Sequence, residues 1–128
     1  MCSPTVSQYA AIDAMKNSDA DVAYMVSEYD HRRRMLVDEL NRIGLHCFEP
    51  KGAFYVIIDG SKLYGKSYNG QKIDGSLKFA DCALSKGVAV IPGVAFGDDN
   101  CIRLSYAISL EDIKEGLNRL KSFIEELK

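Results

Sequence analysis

Arg103 is the side chain in this sequence best suited to chemistry on a small ligand. It stands in the run Ile102-Arg103-Leu104-Ser105-Tyr106-Ala107, shortly after Pro92-Gly93-Val94-Ala95-Phe96-Gly97. A planar guanidinium can meet a carboxylate with two parallel charge-assisted hydrogen bonds, which fixes the plane of the ligand as well as its position. A lysine would bind the charge without fixing the plane. Ile102, Leu104 and Tyr106 alternate with Arg103 and Ser105, the pattern of a strand with one buried face, and this points Arg103 to the opposite side. Taken alone, an arginine on an amphipathic strand is ordinarily a surface or ion-paired side chain. The glycines of the Pro92 to Gly97 loop permit close backbone approach and could shape a rim beside Arg103, although an ordinary strand connection explains them equally well.

The remaining reactive residue types form no constellation. His31 and His46 lack metal-ligand spacing, and Cys2, Cys47, Cys82 and Cys101 are scattered without a Cys-x-x-Cys pair, so no metal site and no redox motif is expected. Neither serine nor cysteine occurs in a recognisable nucleophile setting. The run His31-Arg32-Arg33-Arg34 looks like a nucleic-acid patch, but consecutive helical residues point in different directions, so a solvated or ion-paired helix face is the better reading. The 18 acidic and 16 basic side chains nearly cancel, leaving no field to attract nucleic acid or an anionic membrane. No apolar run reaches the length of a membrane span and no signal peptide is evident, so a cytoplasmic protein with free thiols is expected.

The elements that must position Arg103 follow from periodicity. A chain of 128 residues is long enough for one core. A short helix is expected over 7–18, and a longer one over 20–43, where Met25, Tyr29, Leu36, Leu40 and Ile43 recur at helical spacing until Gly44 stops them. Residues 53–58 are apolar on both faces and predict an interior strand. Residues 59–75 are rich in Gly, Ser, Asn and Lys and predict a long surface loop that tolerates insertions. Leu77, Ala80, Ala83 and Leu84 predict a helix ended by Gly87, followed by a strand over 88–91 that Pro92 and Gly93 break. A last helix begins at Ser109, capped by its own hydroxyl against the Asp112 amide, and carries Ile113, Leu117, Leu120, Ile124 and Leu127 on one face. The expected fold class is α+β: a two-layer sandwich with helices packed on a small, mostly antiparallel or mixed sheet.

The ordered motifs resemble those of a known family. The strand, Pro-Gly-x-x-Phe-Gly loop and Ile-Arg-Leu-Ser-Tyr-Ala strand resemble the C-terminal signature of class I/II, fold-type I aminotransferases of the aspartate aminotransferase kind. Pro50-Lys51-Gly52-Ala53-Phe54-Tyr55 resembles the family's Pro-x-Gly-Ala-Phe-Tyr strand entry, and Ser3-Pro4-Thr5-Val6-Ser7-Gln8 resembles its lead into the small domain. The basic pair of the family's long helix is present, but the acidic residue that follows it is replaced here by Arg34 or Met35. This resemblance spans nearly the whole chain.

It implies a small domain over 20–128, with 1–19 as a connector and short helix leading in from a large domain that this sequence lacks. The full-length enzyme would exchange an amino group between an amino acid and a 2-oxo acid using pyridoxal phosphate, as a homodimer. Arg103 would take the substrate α-carboxylate, with Pro92, Gly93, Phe96 and Gly97 in an active-site loop. Phe54 and Tyr55 read as core or domain-interface residues. The Schiff-base lysine, the aspartate on the pyridine nitrogen and the phosphate cradle are implied upstream. Ser61-Lys62 and Ser85-Lys86 are bare dipeptides with almost no specificity as substitutes. The chain alone is therefore expected to hold no cofactor and to be inactive. Two alternatives stay open: a stand-alone α+β binding or interaction domain, and the same domain from one of the family's carbon-sulfur lyases.

Overall fold

The computed structural model describes residues 2–128 as two compact units, 2–31 and 32–128. The first unit holds α1 (Thr5–Asn17) and the beginning of α2 (Asp19–Arg42). Pro4 precedes α1 in an extended conformation, and the first turn closes with the Gln8 amide donating to the Pro4 carbonyl at 3.2 Å. The helix buries no side chain.

The second unit begins inside α2 and contains the core. Of the stripe expected on this helix only Leu36 and Leu40 are buried, while Met25 and Tyr29 in the first unit are exposed. Gly44 stops the helix in the left-handed region, φ 86°, where glycine carries no Cβ penalty. The Leu45 amide then returns to the Leu40 carbonyl at 2.9 Å.

Three antiparallel strands form the main sheet: β1 (Tyr55–Asp59), β4 (Ile91–Pro92) and β5 (Cys101–Ser105), in the order β1-β5-β4. Ile57 and Ile91 face Arg103 across the two pairings, and Ile58 and Pro92 face Ile102. Val56, Ile58 and Ile102 point into the core. Helices α3 (Ser76–Ser85) and α4 (Leu110–Glu125) bring Phe79, Leu120 and Phe123 to that same core, with the Phe79 and Phe123 rings edge to face at 5.3 Å. The architecture is α+β, as the element pattern predicts.

Three expectations about the strands and loops are corrected. First, β1 is an edge strand rather than an interior one. Its far side carries only a single bridge between Cys47 and Ile58 and the Asp59 amide donating to His46, and Ile57 lies half-buried on the Arg103 face. Apolar side chains on both faces therefore reflect a half-covered outer surface, not a second layer. Second, the strand expected over 88–91 shrinks to Ile91–Pro92. Val88 is drawn away because its amide closes the end of α3 on the Ala83 carbonyl at 3.0 Å, after Gly87 at φ 75°. Pro92 extends the strand rather than breaking it, which its missing N–H allows at a sheet edge.

Third, residues 59–75 are not a simple surface loop. A 3-10 turn (Ser61–Leu63) and a hairpin of β2 (Ser67–Tyr68) and β3 (Gln71–Lys72) send Leu63, Tyr68 and Ile73 inward. The hairpin turns on Asn69-Gly70 with both φ values positive, 48° and 78°, the geometry of a type I′ turn. Ser67 and Lys128 exchange two backbone hydrogen bonds, 2.8 and 3.1 Å.

The start of α4 is as the sequence predicts. Ser109 Oγ accepts from the Asp112 amide at 3.1 Å and donates to the Asp112 carboxylate at 2.8 Å. Ser109→Ala should lower stability by about 1 kcal/mol, the usual cost of a lost N-cap, which thermal unfolding of the chain will check. Among the described residues no helix is long and apolar enough to cross a membrane.

Candidate functional site

Strand β5 is central, so each of its outward side chains is flanked by a neighbour on both sides. Arg103 is the only charged residue of that strand, and it emerges half-buried on the face opposite Ile102. From β1 comes Tyr55, one pleat along from the facing Ile57, with its ring centroid 4.7 Å from the guanidinium carbon. From the turn that follows β4 comes Phe96, 4.8 Å away. The guanidinium is thus bracketed by two rings whose faces attract a cation, worth about 0.5–2 kcal/mol in total ordering of the side chain. No carboxylate of the described residues pairs with it. Aromatic contacts hold the arginine without neutralising it.

Tyr55 is set by the segment before it. Ala53 sits in the left-handed region at φ 63°, unusual for a residue with a side chain. The buried Tyr106 hydroxyl donates to the Ala53 carbonyl at 2.9 Å, and the Tyr106 amide donates to the Phe54 carbonyl at 2.9 Å, which pins the entry to β1. Phe54 itself is exposed and packs edge to face on Tyr55 at 5.8 Å, so it does not belong to this core.

The loop that carries Phe96 is a second construction. Gly93–Phe96 form a 3-10 turn entered from Pro92 and left through Gly97, which is left-handed at φ 88°. Gly93 is buried, and a Cβ there would strike the carbonyl oxygens of Asp98 and Cys101. The turn closes on itself, with the Gly97 amide donating to Val94 and the Asp98 amide to Gly93, both at 3.2 Å. Pro92, Gly93, Phe96 and Gly97 therefore share one small loop beside Arg103, but only Phe96 reaches the guanidinium.

Sequence reasoning passed over two residues that hold this loop. Ser76 is fully buried at the start of α3, and its hydroxyl donates to Asp99 Oδ1 at 2.6 Å while accepting from the Val94 amide at 3.1 Å. Asp99 Oδ1 also accepts the Ser76 amide at 2.9 Å, capping α3 from a distant part of the chain. These bonds, the hydroxyl's first, hold the Asp99 carboxyl below its ordinary value of 3.8. A carboxyl lowered by native contacts stabilises the fold above its unfolded pKa, and that contribution disappears as the pH falls through the folded one. The run Asp74-Gly75-Ser76 is a helix-start signal that could have drawn attention to Ser76.

Other candidates are occupied or inert. Lys86 is paired with Glu126 at 2.6 Å, a hydrogen bond that raises its pKa, the reverse of what a lysine needs to act as a free amine. Arg33 pairs with Glu49 at 3.1 Å, and Arg32 donates to the Ile108 carbonyl at 2.9 Å, in keeping with an ion-paired helix face. Burial pushes the Cys47 thiol up to about 11 and raises that of Cys82. Cys101 is also pushed to about 11, first by its hydrogen bond to Asp98 and then by burial. Since the thiolate is the nucleophile, a disulfide reagent at pH 8 should modify the exposed Cys2 first, the half-buried Cys101 more slowly, and the buried Cys47 and Cys82 only on unfolding, as mass spectrometry of the labelled chain will show. No group of His, Cys, Asp and Glu among the described residues could hold a metal ion.

Comparison with known proteins supplies the context for this arrangement. Residues 1–120 match the family of class I and II aminotransferases. The aspartate aminotransferase of Streptomyces avermitilis is 39% identical over 92% of this chain, which covers 29% of that protein. A bifunctional aspartate aminotransferase and glutamate/aspartate-prephenate aminotransferase of Petunia hybrida is 40% identical over 97% of this chain and 27% of its own length. The crystal structure of the Rhizobium meliloti aspartate aminotransferase superposes with a TM-score of 0.94 at 33% identity, over 99% of this chain and 32% of that one. The chain thus spans about 30% of the length of such relatives. A match over nearly its full length, to proteins that share both sequence and fold, means that this chain belongs to the class I and II aminotransferases.

Proposed function

We propose that this chain is the substrate-orienting small domain of a pyridoxal-phosphate-dependent aminotransferase, with residues 20–128 as that domain and 1–19 as its lead-in. The observation that carries this reading is the bracketed Arg103, a cation held by Tyr55 and Phe96 with no counter-charge of its own. With rings on both flanks, a ligand approaches the guanidinium along its N–H edge. Approach along the edge is the geometry of two parallel hydrogen bonds to a carboxylate. An amino acid or 2-oxo acid seated this way has its α-carbon at a fixed distance and orientation from the arginine, which is the service an amino-group transfer requires of this residue.

The cofactor does not fit on this chain by itself. The groups around Arg103 are Tyr55, Ile57, Ile91 and Phe96, which offer neither an amine for an aldehyde nor cations for a phosphate. Lys86 is tied to Glu126. Holding the cofactor is therefore assigned to the other two thirds of a full-length enzyme, as is dimerisation, and no catalytic step is assigned to this chain. The isolated chain should be inactive.

The test compares an amino acid with the corresponding amine lacking the carboxylate, as substrates of the full-length enzyme. Arg103→Lys should shrink the preference for the amino acid and leave turnover of the amine unchanged. An undiminished preference would remove Arg103 from the role.

A further inference from the structure

We propose that Ser76 and Asp99 are positioning residues for the anion site, holding Phe96 against Arg103 through the turn between them. The inference rests on the carboxylate-binding role proposed for Arg103. One buried hydroxyl ties down both ends of this turn. Ser76 Oγ receives the Val94 amide, near the beginning of the turn, and donates to Asp99, just beyond its end. Phe96 lies between these two anchors. The Tyr64 hydroxyl adds a third tie, donating to the Asp99 carbonyl at 2.6 Å. Gly75 leaves the space this needs, since a Cβ there would meet the Asp99 carboxylate.

The remainder of the turn is too short to hold Phe96 by packing. Val94, Phe96 and Gly97 are exposed, so the ring owes its place to backbone geometry rather than to a surrounding core. Removing the hydroxyl leaves the Val94 amide without its acceptor and takes from Asp99 the shorter of its two bonds to Ser76, leaving the one from the Ser76 amide. A turn released at its Val94 end and loosened at its Asp99 end samples positions in which Phe96 leaves the guanidinium. Arg103 would then be covered on one flank only, and its N–H edge would no longer be fixed for a two-point contact. Such a loss weakens binding of the carboxylate in ground state and transition state alike, which raises KM more than it lowers kcat.

The experiment is a steady-state comparison in the full-length enzyme with its cofactor bound. Ser76→Ala and Asp99→Ala should each raise KM for the amino acid about three- to tenfold, the range a single hydrogen bond is worth, with kcat changed much less. Asp99→Asn, which keeps the acceptor oxygen, should recover most of the affinity that Asp99→Ala loses. In a Phe96→Ala background the effect of Ser76→Ala should shrink to less than about twofold, because neighbours acting through one group are not additive. An equal effect of Ser76→Ala with and without Phe96 would overturn the proposal, as would an unchanged KM in folded Ser76→Ala and Asp99→Ala proteins. If Ser76→Ala fails to fold, the pair Asp99→Ala and Asp99→Asn decides, and equal KM values for the two would again overturn it. Arg103→Lys is measured alongside: no change there counts against the carboxylate role, whereas a rise there without one in the Ser76 and Asp99 variants counts only against the positioning network.

Discussion

Arg103→Lys in the full-length enzyme is expected to lower kcat/KM for amino acids roughly 30- to 5000-fold, the equivalent of about 2 to 5 kcal/mol for a truncated charge-pair contact. The substitution keeps the charge, so the loss isolates geometry. A lysine ammonium donates from a point and rotates freely, whereas the guanidinium presents a rigid fork. It also lacks the flat surface that lies against Tyr55 and Phe96 at 4.7 and 4.8 Å, so the side chain would be less ordered before substrate arrives. Part of the loss should appear in KM, from the weaker contact, and part in kcat, from a substrate bound in a wider range of orientations. Unchanged efficiency toward amino acids would sink the assignment.

Gly93→Ala should be the most damaging single change in the loop. The added methyl would collide with two backbone carbonyls, those of Asp98 and Cys101, and neither can swing aside as a side-chain tip would. Relief requires moving the turn or the start of β5, which carries Arg103. The expected cost is about 3 kcal/mol, at the upper end of ordinary overpacking, with a fall in melting temperature on the order of 10 °C for a domain of this size. Circular dichroism of the chain during heating will measure it. Gly97 offers a contrast: its neighbourhood is open, and its φ of 88° is its sole requirement. A Gly93→Ala chain that melts within a degree or two of the parent would show that the loop yields easily.

Local signals made much of this molecule legible in the sequence. The alternation around Arg103 gave its face correctly, because a strand's period of two is set by backbone geometry. The Ser109 cap and the α4 stripe were equally local. The role of Arg103 came from resemblance, since one arginine in an amphipathic strand carries no ligand information. What escaped was set by distance. The ties from Ser76 to Val94 and Asp99 span 18 and 23 residues, and no periodicity reports such a contact. The edge position of β1 depends on which strand lies beside it, which the six apolar residues of 53–58 do not encode. The hairpin is different, because Asn69-Gly70 is a strong turn signal. It was obscured by a polar stretch in which Leu63, Tyr68 and Ile73, spaced five apart, match neither a strand nor a helix.

The strand order has a consequence for how the protein comes into being. The centre of the sheet, β5, is the last of its strands along the chain, and β1 and β4 pair only through it. During synthesis neither outer strand has a partner until residues 101–105 leave the ribosome, and β1 must wait more than forty residues for one. Such late, non-local closure is slow compared with helix formation. The strand that completes the sheet also carries Arg103, so a nascent chain places that side chain and closes its sheet in a single event. A chain interrupted before residue 101 would leave both outer strands unpaired and open to association with other chains.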